Sequence, residues 1–504
     1  MVAGNIHFTI STISCERDLS FLGQKVYYRN VFFVKKCMFE ESFWKNKRVT
    51  VFGLGVNMGG VGTVQFLIEK GVKEVIVTDM KSRDELQTSL EKLKPYKNIT
   101  YVLGQHRPED FTHVDMVVKN PVIPWTNEYI VLAKKHHIPV EMDASIFFAL
   151  CKTPIIGVTG SKGKTTTSTL IAHILEQAGK KVVRVGIEQT GVLSLLTDTL
   201  LADIVVFELS SWRLSALQNI QKSPHIAVLT NIFPDHQNYY KTMSAYKEDK
   251  ENIFLFQKKN DITIASFDDR DVREMVQDAP GILVWFSTKQ NIEGDGAWSD
   301  GDALWIRKQG KSEILLSFNE VLLLGEHNRS NILAGVTTAL AYGLAPQVIK
   351  QGVLSFKGVK HRLQCLGEKK GVLYYNDTTA TIPEAAILAL HSFSQPVILI
   401  AGGSDKNMHF EHFAEEILVH TKGLILLQGN ATEKIVTALR ERLPDKEKKR
   451  PIIVVGTMAK AVEIASRCAT SGDIILLSPG ATSFGLFANE FDRGEQFIQA
   501  VEAL

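Results

Sequence analysis

The stretch from 154 to 179, PIIGVTGSKGKTTTSTLIAHILEQAG, restricts the possible folds of this chain more than any other. A short apolar, β-branched run leads into a loop with glycines at 157, 160 and 163, which opens directly into a helical pattern closed by Gly179. A strand handed to a helix in this way aims the first backbone N–H groups and the positive helix end at the loop, where an anion binds. Lys164 can reach terminal phosphates, and Thr165 can place a hydroxyl on Mg²⁺. The spacing differs from GxxxxGK[ST], because Val158 stands where the first glycine belongs. A plain glycine turn with a solvated Lys164 is the alternative. The agreement of strand, GKTT and helix favours ATP.

The rest of the chain repeats the strand–helix alternation. RVTVFGLG, EVIVTDM, TYVLG, DMVVKNP and IPVEMD read as strands of a first block, with VGTVQFLIEKG a helix ending at Gly71. VVFELSS, HIAVLTNI and DITIASF follow the phosphate loop as further strands. Polar turns between about 280 and 325, around GDGAWSDGD with WFST and LWIRKQ on either side, indicate a small antiparallel insert. The helix NILAGVTTALAYG leads to a link at 358–361, after which VLYYND, PVILIAGG, GLILLQG, PIIVVG and DIILLSPG alternate with helical pattern. Strands separated by helices imply parallel sheets. At roughly 150 residues per domain, 504 residues suggest about three domains. The expected fold is therefore α/β in three domains: a Rossmann-like block at 38–147, a central P-loop ATPase domain with a parallel sheet at 148–358, and a C-terminal Rossmann-like domain at 359–504. Residues 1–37 lack periodicity and are set apart as an N-terminal extension, with Met38 a second candidate start.

Composition excludes several classes. With 45% hydrophobic and 22% charged residues the chain is globular, and a net charge of +2 argues against nucleic acid as a partner. Cys15, Cys37, Cys151, Cys365 and Cys468 are scattered without a CxxC pair, which fits a reducing cytoplasm rather than a disulfide or zinc framework. No apolar run approaches the ~18 residues of a membrane span, and the N-terminus lacks a signal-peptide pattern.

VTGSKGKTTT resembles the ATP loop of the Mur ligases and of their relatives, the folylpolyglutamate synthetases. FELSSWRL, TNIFPDH, SAYKEDKENIF, GEHNRSNILAG, VKHRLQ, NDTTATIPEA, AGGSDK and LLSPGATSFGLFANEFDRGEQF are similar to Mur-ligase segments in the same order, from about residue 48 onward. The last two resemble the glutamate-adding members most. The resemblance implies ATP-dependent joining of glutamate, D-glutamate foremost, to UDP-N-acetylmuramoyl-L-alanine through an acyl phosphate in peptidoglycan precursor synthesis. The substrates are small molecules, and a monomer is expected.

The resemblance also implies residue roles. Gly160, Ser161, Lys162, Gly163, Lys164, Thr165 and Thr166 would cradle the phosphates. Thr165, Glu208 and His236 would hold Mg²⁺. Lys250 corresponds to a lysine carried as a carbamate, which would join them on the metal, although its charged neighbours Lys247, Glu248, Asp249 and Glu251 also suit a surface lysine. Asn328 and Asn331 would contact the adenine side, with Arg362 and Asp377 as contacts from the third domain. Lys406, Ser483 and Phe484 would bind the amino acid, and Lys164, His236 and Lys250 make up the catalytic set. In the first block, Gly53–Gly60 and Asp79 look like a dinucleotide fingerprint, but the spacing is GxGxxxG. In the family a similar loop takes the UDP diphosphate, which assigns Gly55, Val56, Asn57 and Asp79 to the UDP-sugar.

Three departures stand out. Thr379 replaces a lysine of the glutamate pocket, Glu490 replaces an aromatic, and the loop 186–191 differs from the usual GNIG. They leave L-glutamate or another acidic amino acid as an alternative substrate. A folylpolyglutamate-type ligase is a second alternative, opposed by the separate first block. An oxidoreductase built on the GLG loop would leave the phosphate loop without a purpose. A non-catalytic nucleotide-binding regulator would not need Lys164, Glu208 and His236.

Overall fold

The computed structural model describes residues 41–56, 58–187, 190–235, 239–323, 325–406, 408–443 and 452–504. The segment 1–37 and the site residues Asn57 and His236 lie outside them. The chain divides into two compact units, one drawn from Met1–Gly157, Val183–His225 and Pro234–Asp261, the other from Val158–Val182, Ile226–Phe233 and Ile262–Leu504.

In the first unit β1 (Arg48–Phe52), β2 (Glu74–Asp79), β3 (Ile99–Leu103), β4 (Met116–Lys119) and β5 (Val140–Glu141) form a parallel sheet in the order β3-β2-β1-β4-β5. The strands read as near-continuous apolar runs because both faces of such a sheet are covered. Phe52, Ile76, Phe111 and Ile130 pack into one of its cores. Strand order reverses at β1, so the loop leaving β1 sits where doubly wound sheets bind ligands. The same unit holds most of β6 (Ile155–Thr159) and β7 (Val182–Val185), with β8 (Ile204–Glu208) between them. IPVEMD yields only the two-residue β5, because Asp143 already begins the helix Asp143–Leu150.

The second unit contains β9 (Ile226–Leu229), β10 (Ile262–Ser266), β11 (Ile282–Ser287) and β12 (Gly296–Asp300), paired in parallel, then β13 (Ala303–Lys308) and β14 (Lys311–Ser317) as an antiparallel meander. The expected antiparallel insert is thus present but starts later than WFST, which lies in the parallel strand β11. β15 (Gln364–Lys369), β16 (Val372–Asn376), β17 (Val397–Gly402), β18 (Thr421–Leu427), β19 (Ile453–Val455) and β20 (Ile474–Leu477) form another sheet in the order β15-β16-β20-β17-β18-β19. All its pairings are parallel except β15 with β16. β15 is not among the strands expected from the sequence. It is a polar edge strand with Gly367 inside, and it exists because Lys370 and Gly371, both at positive φ, make a tight hairpin onto β16.

Candidate active site

In the second unit the phosphate loop joins the end of β6 to the helix Lys164–Gln177, with Gly163 at the N-cap in the left-handed region (φ +82°). A Cβ on Gly163 would overlap the Asn331 amide oxygen, and one on Gly160 would overlap the Thr230 hydroxyl. Only glycine fits either place.

The chain after β9 braces the loop. Ser161 N donates to Asn231 O (2.9 Å), and Lys162 N donates to Asn231 Oδ1 (2.8 Å). Ser161 Oγ donates to Phe233 O (2.9 Å) and accepts from Phe233 N (2.8 Å), while Thr230 Oγ1 donates to Lys162 O (2.9 Å). In the sequence TNIFPDH pointed only to His236; that Thr230 and Asn231 shape the loop has no local signal. Lys164 Nζ donates to Gly160 O (3.0 Å) and Ser161 O (3.1 Å), so the amine lies folded over the loop.

The helix Glu326–Tyr342 presents Asn328 and Asn331 one turn apart, both buried, with Asn331 Nδ2 donating to Asn328 Oδ1 (2.8 Å). Thr167 Oγ1 donates to Asn331 Oδ1 (3.3 Å) and ties that helix to the one behind the phosphate loop.

A cavity of about 910 Å³ opens here, lined by Lys162, Gly163, Thr166, Asn328, Asn331, Arg362 and Asp377 among others. Its volume suits a nucleotide. Seven residues that the sequence assigned to ATP therefore share one chamber. Asp377 is buried at its edge, where its carboxylate accepts from Leu363 N (3.1 Å) and Ser478 Oγ (2.8 Å). Burial pushes the carboxyl up to about 7, against the pull of those bonds and of Arg362 and Arg493.

Lys406 Nζ lies 5.2 Å from the centre of the exposed Phe484 ring, and Ser404 Oγ bonds Phe484 O. Ser483 is buried beside them in the chain. Arg493, fully buried, was not singled out from sequence. It donates to Thr378 O (2.8 Å), Thr378 Oγ1 (2.9 Å) and Ala481 O (3.0 Å), locking the NDTT and SPGAT segments together. Burial lowers its guanidinium to about 10. Thr379, at the family's lysine position, donates its hydroxyl to His361 O (2.9 Å), which fixes the link between blocks.

In the first unit the loop after β1 carries Gly53 and Gly55 at positive φ. Asp79, at the end of β2, accepts from Gly55 N (2.9 Å) with one carboxylate oxygen and from Lys81 N (2.9 Å) with the other. Val56 projects at the loop tip, 51% exposed. Glu208 ends β8. Lys250 is 1% exposed on the helix Met243–Glu251, its amine 4.8 Å from the Tyr246 ring centre. The surface-lysine alternative fails. Next to it Asp249 accepts from Tyr240 Oη (2.8 Å), and burial pushes its carboxyl up to about 6. Gly62 and Gly191 pack face to face, a Cβ on Gly62 reaching within 2.8 Å of Gly191 Cα. Gly191, at the end of the divergent segment, is held there by close backbone contact.

Phosphate loop, buried asparagine pair and nucleotide-sized chamber on parallel sheets define a nucleotide-dependent α/β enzyme. The chain belongs to the Mur ligase family: residues 47–141 match its MurD-like N-terminal domain, 158–339 its middle domain and 361–480 its glutamate ligase domain. A UDP-N-acetylmuramoylalanine--D-glutamate ligase of Roseiflexus sp. (strain RS-1) is 40% identical over 464 residues, 91% of this chain and 98% of that one. One from Borreliella afzelii is 34% identical over 471 residues, covering 91% and 98%. Among solved structures, the UDP-N-acetylmuramate-alanine ligase MurC of Thermotoga maritima aligns with a TM-score of 0.55 at 18% identity, covering 91% of this chain and 99% of its own. No helix among the described residues is long and apolar enough to cross a membrane.

Proposed function

We propose that the chain joins D-glutamate to UDP-N-acetylmuramoyl-L-alanine at the expense of ATP, in peptidoglycan precursor synthesis. The observation that carries this is the match to the Roseiflexus D-glutamate ligase across 98% of that protein's length. The alanyl carboxylate takes the γ-phosphoryl group, the β–γ P–O bond breaks and ADP leaves. The glutamate amine then attacks the acyl carbon, phosphate departs with its oxygen, and the amine's surplus proton passes to solvent or base.

The phosphate loop from Gly160 to Thr166 holds the triphosphate, and Lys164 swings from its loop carbonyls to the γ-phosphate. Asn328 and Asn331 set the base, and Arg362 with Asp377 contacts the nucleotide. The donor set offered by Thr165 and Glu208 is all oxygen, which fits Mg²⁺. His236 is proposed as a further ligand. When bound, Mg²⁺ neutralises charge on the transferring phosphoryl group. Lys250 is proposed as a carbamate that joins these ligands on the metal; its burial sets it apart from a surface lysine. Gly55, Val56, Asn57 and Asp79 serve the UDP-sugar, and Lys406, Ser483 and Phe484 the amino acid, with Lys406 supplying the charge that Thr379 lacks. The proposed enzyme works as a cytoplasmic monomer.

ADP release is the test, measured with UDP-N-acetylmuramoyl-L-alanine and D-glutamate, L-glutamate or no amino acid. Release that needs D-glutamate is expected; release with L-glutamate alone would overturn the stereochemistry. Lys250→Ala should abolish turnover, with bicarbonate unable to restore it. Near-normal activity would remove that residue from the mechanism.

A further inference from the structure

Outside the nucleotide chamber, the second unit gathers a cluster for which the ligase reaction has no use. His391 caps the C-terminal end of the helix Pro383–Leu390, while Glu416 and His420 lie one turn apart on the helix Glu411–His420. His391 Nε2 is 2.7 Å and His420 Nε2 is 3.2 Å from the same oxygen, Glu416 Oε2. One ligand atom from each of the three lies within 4.8 Å of the others. His412 stands one turn before Glu416 on the same helix, its Nε2 3.9 Å from Glu416 Oε1.

We infer that His391, Glu416 and His420 form a binding site for a borderline divalent cation of the zinc type. Two imidazoles and one carboxylate are the donors such ions choose, and they are poor donors for Mg²⁺. Bonds of about 2.0–2.1 Å to a tetrahedral ion put neighbouring ligand atoms roughly 3.3 Å apart. The present spacings reach that with shifts of up to about 1.5 Å in side chains that retain some exposure. The backbone beneath is fixed, because Leu390, Phe413 and Ile417 are buried in one core. The fourth position falls to water or to His412.

The site would matter to the chamber. Ala385, Leu388 and Ala389 of the helix that His391 caps are part of the chamber lining. A metal bond from His391 to the helix Glu411–His420 pins that wall.

The experiment uses the full chain, stripped with chelator and held free of Mg²⁺ and nucleotide. Zn²⁺ is titrated calorimetrically, and Co²⁺ by its visible absorption, into wild type, H391N, H420N and the double variant. One saturable site with tetrahedral Co²⁺ bands is expected in wild type. Each single variant should weaken it by at least about tenfold, and the double variant should abolish it. Zn²⁺ should raise the melting temperature of wild type but not of the double variant. Unchanged metal-free melting temperatures check folding, since both histidines are partly exposed. Absence of a stoichiometric site in wild type, or equal binding by the double variant, would overturn the inference. Neither result bears on the ligase assignment, because no reaction is measured.

Discussion

Two loops in this protein begin alike and end differently. After β1 and after β6, a strand runs into glycines at positive φ and then into a helix. The loop of the first unit is organised by a charge: Asp79 binds the N–H groups of Gly55 and Lys81. The loop of the second unit is organised by neutral groups, from Thr230, Asn231 and Phe233, and keeps its own cation, Lys164, folded on its carbonyls. A carboxylate bound into a loop favours a partner that also offers hydroxyls or a base edge, as a UDP-sugar does. A cation on a glycine loop favours a polyphosphate. The shared supersecondary unit therefore does not decide the ligand; the side chains that hold the loop do.

The contrast can be broken most forcefully at Gly163. Gly163→Ala places a methyl group against Asn331 and a side chain in the left-handed region, so kcat/KM for ATP should fall by about 10²–10³-fold. Steady-state kinetics near wild type would mean that the loop yields where the packing says it cannot. Comparable in size is a pH effect at Asp377. Its carboxyl is raised from 3.8 to about 7 on folding, so its protonated form favours the folded state below about pH 4, and that contribution is lost as pH rises through 7. Asp377→Asn removes the loss. Stability of the variant relative to wild type should climb between about pH 4 and 7 and then level off, by an amount on the order of 4 kcal/mol. A pH-independent difference in melting temperature would show that this carboxyl does not titrate as the packing demands.

Asp79→Asn keeps one acceptor for the loop but removes the charge. It should raise KM for the UDP-sugar by roughly tenfold, the scale of one charged hydrogen bond, and leave ATP affinity unchanged. An equal loss for ATP would erase the distinction between the loops. The mildest change is Gly55→Ala, where the nearest atom to a new Cβ, Asn120 Nδ2, is 3.7 Å away. Only the cost of the left-handed backbone remains, about 1 kcal/mol, read as a few-fold rise in KM for the UDP-sugar.

Much of this was legible beforehand. The parallel strands were readable because burial on both faces writes them as apolar runs, and GKTT because glycine, lysine and threonine each meet a separate requirement of phosphate. β15 was not readable: its residues are polar, and its place depends on a hairpin turn at Lys370–Gly371. The burial of Lys250 was not readable either, since its helix carries Lys247, Glu248, Asp249 and Glu251 and looks solvated. Arg493 was invisible because nothing local distinguishes a buried arginine from an exposed one.

By itself the sequence determined the α/β class, the order of strands and helices along the chain and the place of the phosphate loop. These follow from local periodicity and from backbone conformations that only glycine adopts. The tertiary structure decided what distance along the chain conceals: that Asn331 backs Gly163, that Arg493 joins two loops more than a hundred residues apart, and that His391 meets Glu416 and His420. Such pairings depend on which faces pack together. That choice is set by the summed burial of whole elements and leaves no trace in the spacing of the residues it unites.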